Sequence, residues 1–261
     1  MAGRVGRIQA GAILFAMATA PHPPRAIIVG ASSGIGAAVA RQLADDGWAV
    51  GLAARREERL ATLAEELSAR HPGRTVLHRA IDLRDGDVAV EHFDRLVADL
   101  GGVELVVISS GVGHENPPLD WPPEAETVAV NVAGFTAIAV AAMRHFEARR
   151  SGHLVGLSSL AALHGHGDAP AYGASKAFVS RYLQALRHRV AARKLPIAIT
   201  DIQAGFVDTA MAKGQGLFWV APVEKAARQI VAAIRRKRSH VYVTRRWRIV
   251  AWLLRILPDT W

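Results

Sequence analysis

The feature that most limits what this chain can become is Val29-Gly30-Ala31-Ser32-Ser33-Gly34-Ile35-Gly36, three glycines spaced G-x-x-x-G-x-G. Ahead of it, Ala26-Ile27-Ile28-Val29 reads as a short buried strand; behind it, Ala37 to Leu43 has helical spacing that ends near Gly47. A strand that turns sharply into a helix needs a residue free to take positive φ, and bare Cα atoms where backbone meets backbone. Gly30 permits the turn, Gly34 lets main chain approach a ligand, and Gly36 lets helix pack close on strand. The first helical N–H groups then leave the turn with the positive end of the helix dipole behind them, an arrangement suited to a pyrophosphate. Ser32, Ser33 and Ile35 complete this candidate cradle. A lone loop of this kind also occurs as a plain glycine-rich turn, so the rest of the chain has to decide.

From Arg25 onward strand and helix patterns alternate. Residues 48–54, 75–80, 103–109, 152–157, 196–202 and 241–244 read as further strands, and 56–68, 87–100, 124–149, 172–193 and 224–236 as helices. Such alternation implies a parallel sheet covered on both faces by right-handed crossovers, a three-layer, doubly wound α/β domain over residues 25–244. The chain has 261 residues, enough for one such domain, and shows no repeat or internal linker. It contains no cysteine, which excludes disulfides, thiolate metal sites and cysteine nucleophiles. The formal charge of +9 would fit nucleic acid if it were spread over a face, but it is not. Arg235, Arg236, Lys237, Arg238, Arg245, Arg246, Arg248 and Arg255 supply nearly all of it, and no acid lies between Glu224 and Asp259. No nucleic-acid partner is expected.

Cofactor choice is legible at the end of the second strand. An acid there would hold the adenosine ribose of NAD. The chain instead has Ala54 followed by Arg55 and Arg56, two guanidiniums suited to the 2′-phosphate of NADP. The alternative is a solvated helix start, although arginine is unfavourable at a helix N-terminus.

The chemistry points to Tyr172-Gly173-Ala174-Ser175-Lys176. Positions i and i+4 share a helix face, so phenol and ammonium are neighbours, and a nearby positive charge favours phenolate. Such a tyrosine can give a proton to a carbonyl oxygen or take one from an alcohol. An isolated Y-x-x-x-K is more often a core tyrosine with a surface lysine. Here Ser159 stands just past the fifth strand, at the edge where α/β sites form, and its hydroxyl could hold the same oxygen.

Taken together, Gly30 to Gly36, Asp82-Leu83, Asn131, Ser158-Ser159 and Tyr172 to Lys176 resemble, in order and spacing, the short-chain dehydrogenase/reductase family over Arg25 to Thr244. The resemblance implies a Rossmann fold with a seven-stranded sheet in the order 3-2-1-4-5-6-7. It implies NADP(H)-dependent interconversion of a carbonyl and an alcohol, with Tyr172 as acid/base and Ser159 orienting the carbonyl. Lys176 would lower the tyrosine pKa and hold the nicotinamide ribose, and Asn131 would support a water-linked proton relay. Asp82 would bind the adenine amino group beside the Leu83 backbone; Gly111, Val207 and Thr209 would also touch the cofactor, Thr209 at the carboxamide. Two stretches depart from the family pattern: Ile108-Ser109-Ser110-Gly111 replaces Asn-Asn-Ala-Gly, and Ala204-Gly205 replaces Pro-Gly. The rival reading is a non-enzymatic NADP-binding regulator or scaffold.

Other expectations follow. His164 and His166, with only Asp168 nearby, make a poor metal site and a better substrate-side loop, and His114, Glu115 and Asn116 would line the same cleft. The alanine-rich stretch 128–143 would serve as core and subunit interface of a homodimer or tetramer. Residues 213–220, with Phe218 and Trp219, fall where the family covers its substrate, and an apolar cover favours a lipophilic one. Residues 1–24, in which Arg4 and Arg7 precede the apolar run Ile8–Ala20, resemble a secretory signal too short to span a bilayer. An extension, or a start at Met17, suits a cytoplasmic cofactor user better. The tail, 245–261, mixes Trp247, Ile249, Val250, Trp252, Leu253, Leu254, Ile256 and Leu257 with four arginines, and Pro258 limits its helix. It suits either a peripheral membrane contact or a helix packed over the pocket or a neighbouring subunit.

Overall fold

The computed structural model describes residues 22–165, 167–210 and 218–254. The leader run Ile8–Ala20, His166, most of the expected substrate cover and the tail beyond Leu254 lie outside the described residues.

Seven strands form one parallel sheet: β1 (Arg25–Val29), β2 (Ala49–Ala54), β3 (Val76–Ala80), β4 (Leu105–Ile108), β5 (Gly152–Ser159), β6 (Ile197–Ala204) and β7 (His240–Val243). Their order is β3-β2-β1-β4-β5-β6-β7, as the family resemblance implies. Because successive side chains alternate faces, the apolar strands feed two cores. Ala26 and Ile28 face α1 (Gly34–Asp45), α2 (Glu57–Arg70) and α7 (Val223–Arg235). Ile27 and Val29 face α3 (Gly86–Asp99), α5 (Phe135–Arg149) and α6 (Pro170–Ala192). The chain changes direction between β1 and β4, so a crevice opens beyond the carboxyl ends of those strands.

The glycine turn closes that crevice's floor. Gly30 sits at φ 98°, and its N–H donates to the Ala53 carbonyl at 2.7 Å. A Cβ on Gly36 would collide with the Gly30 carbonyl, so α1 begins directly against the end of β1.

Two differences from the sequence expectation bear on the site. The helix expected from Glu124 starts earlier: α4 spans Trp121–Val128, with prolines in its first turn, where a missing N–H costs nothing. It then widens into a π turn, Ala129–Gly134, before α5. The widening has two causes: Asn131 reaches out to the Val112 backbone, and the bare Cα of Gly134 faces the Leu83 carbonyl. Phe135, Ile138 and Phe146 of α5 are core, while Val128 and Val140 are exposed. Second, β5 and β6 run longer than expected, pairing Ser158 with Gln203 and Ser159 with Ala204. Ser159 is therefore the last residue of its strand, not a residue just past it. The tail forms a helix as expected, α8 (Trp247–Leu254), whose Trp247 ring lies against Gly205.

Gly134 gives a test of sign. Glycine to alanine inside a helix ordinarily stabilises by about 1 kcal/mol. Gly134→Ala is expected to destabilise by about 1–3 kcal/mol instead, because the new methyl meets main chain. Gly86→Ala, whose Cβ would rest 3.4 Å from that of Ala137, is the control expected to change stability little. Urea denaturation of both variants reads the difference.

Candidate active site

The strand ends and the first turns of α6 bring the chemistry together. Tyr172 lies in the first turn of α6, and its hydroxyl neighbours that of Ser159 at the end of β5. Ser159 Oγ also accepts from the Ala161 N–H (3.2 Å) and lies 3.4 Å from the Ala204 carbonyl. Burial pushes the Tyr172 phenol above its ordinary pKa of 10, and the Ser159 hydroxyl pulls the other way. Lys176 is one helical turn on, with Nζ 5.7 Å from the centre of the tyrosine ring, donating to the Leu157 carbonyl at 3.1 Å. The simple expectation that lysine draws the phenol toward phenolate is thus not met in this state; desolvation dominates and the tyrosine stays a neutral acid.

The lysine itself is buried, and burial pulls its pKa down to about 8, against the opposing charge of Asp201. Asp201, on β6, is completely buried and accepts from Ser158 Oγ (2.5 Å) and Ser180 Oγ (2.6 Å). Sequence reasoning missed it. The signal was there: a lone acid in an otherwise uncharged, mostly apolar strand is either paired or costly.

Asn131, in the π turn, spends its side chain on structure. Oδ1 accepts from Val112 N at 2.8 Å, and Nδ2 donates to Val112 O at 2.7 Å and to Ser175 Oγ at 3.0 Å. The loop it grips closes tightly over the site. A Cβ on Gly111 would stand 3.0 Å from Lys176 Nζ, and one on Gly113 would stand 2.8 Å from the Tyr172 ring. Ser109 and Ser110, which replace the family's usual residues, donate backbone N–H groups to the Val29 carbonyl at 2.8 and 3.0 Å. The loop is anchored through main chain there.

The residues of the cradle fit a dinucleotide. Gly34, at φ 55°, faces the Thr209 methyl group, so the turn after β1 and the segment after β6 meet across the crevice. Val207 is held by a bridge to Ala221, and Ile35 is half-buried against the core. Arg56 donates to Ser32 Oγ (2.9 Å) and Ser33 Oγ (2.8 Å), which aims its guanidinium at the cradle. Burial and the charges of Arg59 and Arg55 lower its pKa. Arg55 departs from expectation: it pairs with Glu126 at 3.1 Å, which also takes His114 at 3.0 Å. Asp82 departs too. Arg84 chelates its carboxylate (2.5 and 2.9 Å) and holds its pKa below the usual range, so an adenine amino group would have to share it. Leu83 is buried beside Gly134.

On the substrate side, Asn116 is structural and does not line the cleft: it is buried and bonds to the Asp120 carbonyl and Glu124 at 2.9 Å each. Glu115 is exposed, and His164 is half-buried in the turn before α6. Beyond Gly205 stands an aromatic wall, Phe206, Phe218 and Trp219 packed around Trp247 with ring centres 5.0 to 5.8 Å away.

Comparison with known proteins agrees with this geometry. The family model described as short chain dehydrogenase matches residues 24–217. An uncharacterized oxidoreductase of Myxococcus xanthus is 38% identical over 184 residues, 70% of this chain and 71% of that protein. One from Mycobacterium tuberculosis is 33% identical over 226 residues, 85% of this chain and 88% of its own length. Among solved structures, a short-chain dehydrogenase from Sphingobium yanoikuyae in complex with NADPH superposes with a TM-score of 0.77 at 21% identity, covering 91% of this chain and 98% of that one. Another from Burkholderia phymatum, in complex with NAD, gives 0.79 at 20% identity, covering 89% and 92%. At those identities the structures speak for the fold; the family model and the sequence relatives settle membership. The chain is an oxidoreductase of the short-chain dehydrogenase family.

Proposed function

We propose that the protein is an NADP(H)-dependent reductase of a ketone or aldehyde, or catalyses the reverse oxidation. The observation that carries this reading is the Ser159–Tyr172 hydroxyl pair, one helical turn from a buried lysine, at the edge of the glycine cradle. A bound nicotinamide would supply or accept the hydride. Tyr172, a neutral phenol in its buried setting, donates its proton to the carbonyl oxygen, which the Ser159 hydroxyl orients. As phenolate develops, the Lys176 ammonium stabilises it in surroundings where a charge is poorly screened. Asn131 works through the loop it grips: its side-chain amide is committed to Val112 and Ser175, so any part in a proton relay falls to its main chain.

Arg56, seated on Ser32 and Ser33, supports NADP over NAD. The two solved neighbours named above carry one cofactor each, so the preference rests on the arginine. The intact hydroxyl pair and lysine speak against a purely regulatory NADP-binding protein. Val128, Val140 and Phe178, exposed on α4, α5 and α6, support pairing of two copies through these helices, and a cytoplasmic setting suits the cofactor.

Three outcomes are expected. Tyr172→Phe should keep NADPH affinity in a fluorescence titration while turnover against a panel of simple ketones falls about 100-fold or more. Turnover near the parental rate would overturn the mechanism. Arg56→Ala should weaken NADPH about 10- to 100-fold, the worth of a charge-assisted contact, and NADH hardly at all. Equal losses would show that this arginine does not read the 2′-phosphate. Because Lys176 loses its proton near pH 8, kcat/KM for reduction should fall as pH rises through that value. Asp201 favours the charged lysine, so Asp201→Asn should move this fall to lower pH, read from the pH–rate profile of the folded variant.

A further inference from the structure

The basic cluster seen in the sequence is divided by the fold. Arg235 closes α7 and pairs with Asp46 at the amino edge of the sheet, whereas Arg245, Arg246 and Arg248 follow β7 at the carboxyl edge, where the site lies. At that edge α8 docks by one side only. Trp247 and Ala251 are buried with Leu160, and the other side leaves Ile249 61%, Trp252 62% and Leu253 43% exposed. Residues 218–220 extend the same surface: Phe218 is 51% exposed, Trp219 42% and Val220 38%. Arg246 joins the two segments, donating to the Trp219 carbonyl at 2.6 Å with its guanidinium 5.2 Å from the Trp219 ring. More than half of the large exposed apolar side chains among the described residues lie on these segments and on adjoining Phe206.

We infer that this surface docks on an anionic lipid bilayer, with Trp219, Ile249 and Trp252 in the interface and Arg245 and Arg248 against the headgroups. Charge decides the occupant. From Lys225 to Leu254 the chain has no acid. A second copy meeting the patch about a twofold axis would offer these arginines no acid from the same segment, because such an interface pairs a surface with itself. Tryptophan flanked by arginine on one side of a short helix is the composition that settles at the level of lipid headgroups. The patch also adjoins the aromatic wall of the cleft, since Trp247 packs on Gly205 and Phe206. Resting on the proposed carbonyl chemistry, this placement assigns the substrate to lipophilic carbonyl compounds that partition into membranes.

The test is flotation of the full chain with phosphatidylcholine vesicles and with vesicles containing phosphatidylglycerol, without substrate. Residues 8–20 are apolar as well, so the comparison is between full chains differing only in the patch. The parent is expected to float with the anionic vesicles and at least tenfold less with neutral ones, and to be released by high salt. Ile249→Ser with Trp252→Ser, both exposed, should lose at least tenfold of the bound fraction at an unchanged melting temperature. Arg245→Gln with Arg248→Gln should lose the preference for anionic lipid. Parental flotation by the serine variant, or salt-insensitive binding to both vesicle types, overturns the inference. A fall in oligomeric state of that variant on size exclusion overturns it in favour of an interface between copies. Tyr172→Phe should float like the parent, which keeps this test separate from that of the chemistry.

Discussion

A lysine cannot be buried cheaply, and much of the site's arrangement answers to that fact. Lys176 has almost no exposed surface, and water no longer supports its charge. What replaces the water is one carbonyl, that of Leu157, and, without direct contact, the charge of the Asp201 carboxylate on β6. The carboxylate is itself buried and is held by two serine hydroxyls, Ser158 from β5 and Ser180 from α6. Ser180 lies one turn beyond Lys176 on the same helix, so α6 presents the cation and an anchor for its counter-ion on one face. This places the lysine close to the point of losing its proton near pH 8, where small changes of environment alter its charge.

The second constraint is steric. The cleft exists because main chain passes where side chains would ordinarily stand. Gly36 brings α1 onto Gly30, Gly134 admits the Leu83 carbonyl, and Gly111 and Gly113 let the β4–α4 loop close over Lys176 and Tyr172. Asn131 is the clamp on that loop, gripping both the N–H and the carbonyl of Val112. The π turn that carries Asn131 thereby couples the nucleotide end, through Gly134 and Leu83, to the proton-transfer end, through Val112 and Ser175.

What could be read in advance follows from the range over which each pattern acts. The strands, the glycine turn and the tyrosine–lysine pair rest on local periodicity and short spacing, the strand order on the family resemblance, and they stand where these place them. The site residues whose settings were missed are those with a polar or charged partner that was not weighed, whether near or far along the chain. Arg55 was weighed only against a phosphate, because its pairing with Glu126, far along the chain, is invisible in local spacing. Asp82 looked free because a neighbour two residues on was not weighed as its chelator. Asn116 passed for a cleft residue although Asp120 and Glu124 consume its amide. The tyrosine's acidity was argued from one charge, while burial, which no local pattern reports, dominates.

The tail shows the same limit from the other side. In the sequence it reads as one basic, aromatic run, and two destinations for it seemed to compete. The fold reveals that they are faces of one helix. Trp247 and Ala251 turn inward onto Leu160 and Gly205, which is the packed-helix reading. Ile249, Trp252 and Leu253 turn outward beside exposed Phe218 and Trp219, which leaves the surface a membrane reading requires. The period of the helix makes the division: positions 247 and 251 share one face, and 249, 252 and 253 fall away from it. A segment that walls the substrate cleft on one face and meets its surroundings on the other can link what the protein touches to what enters its site.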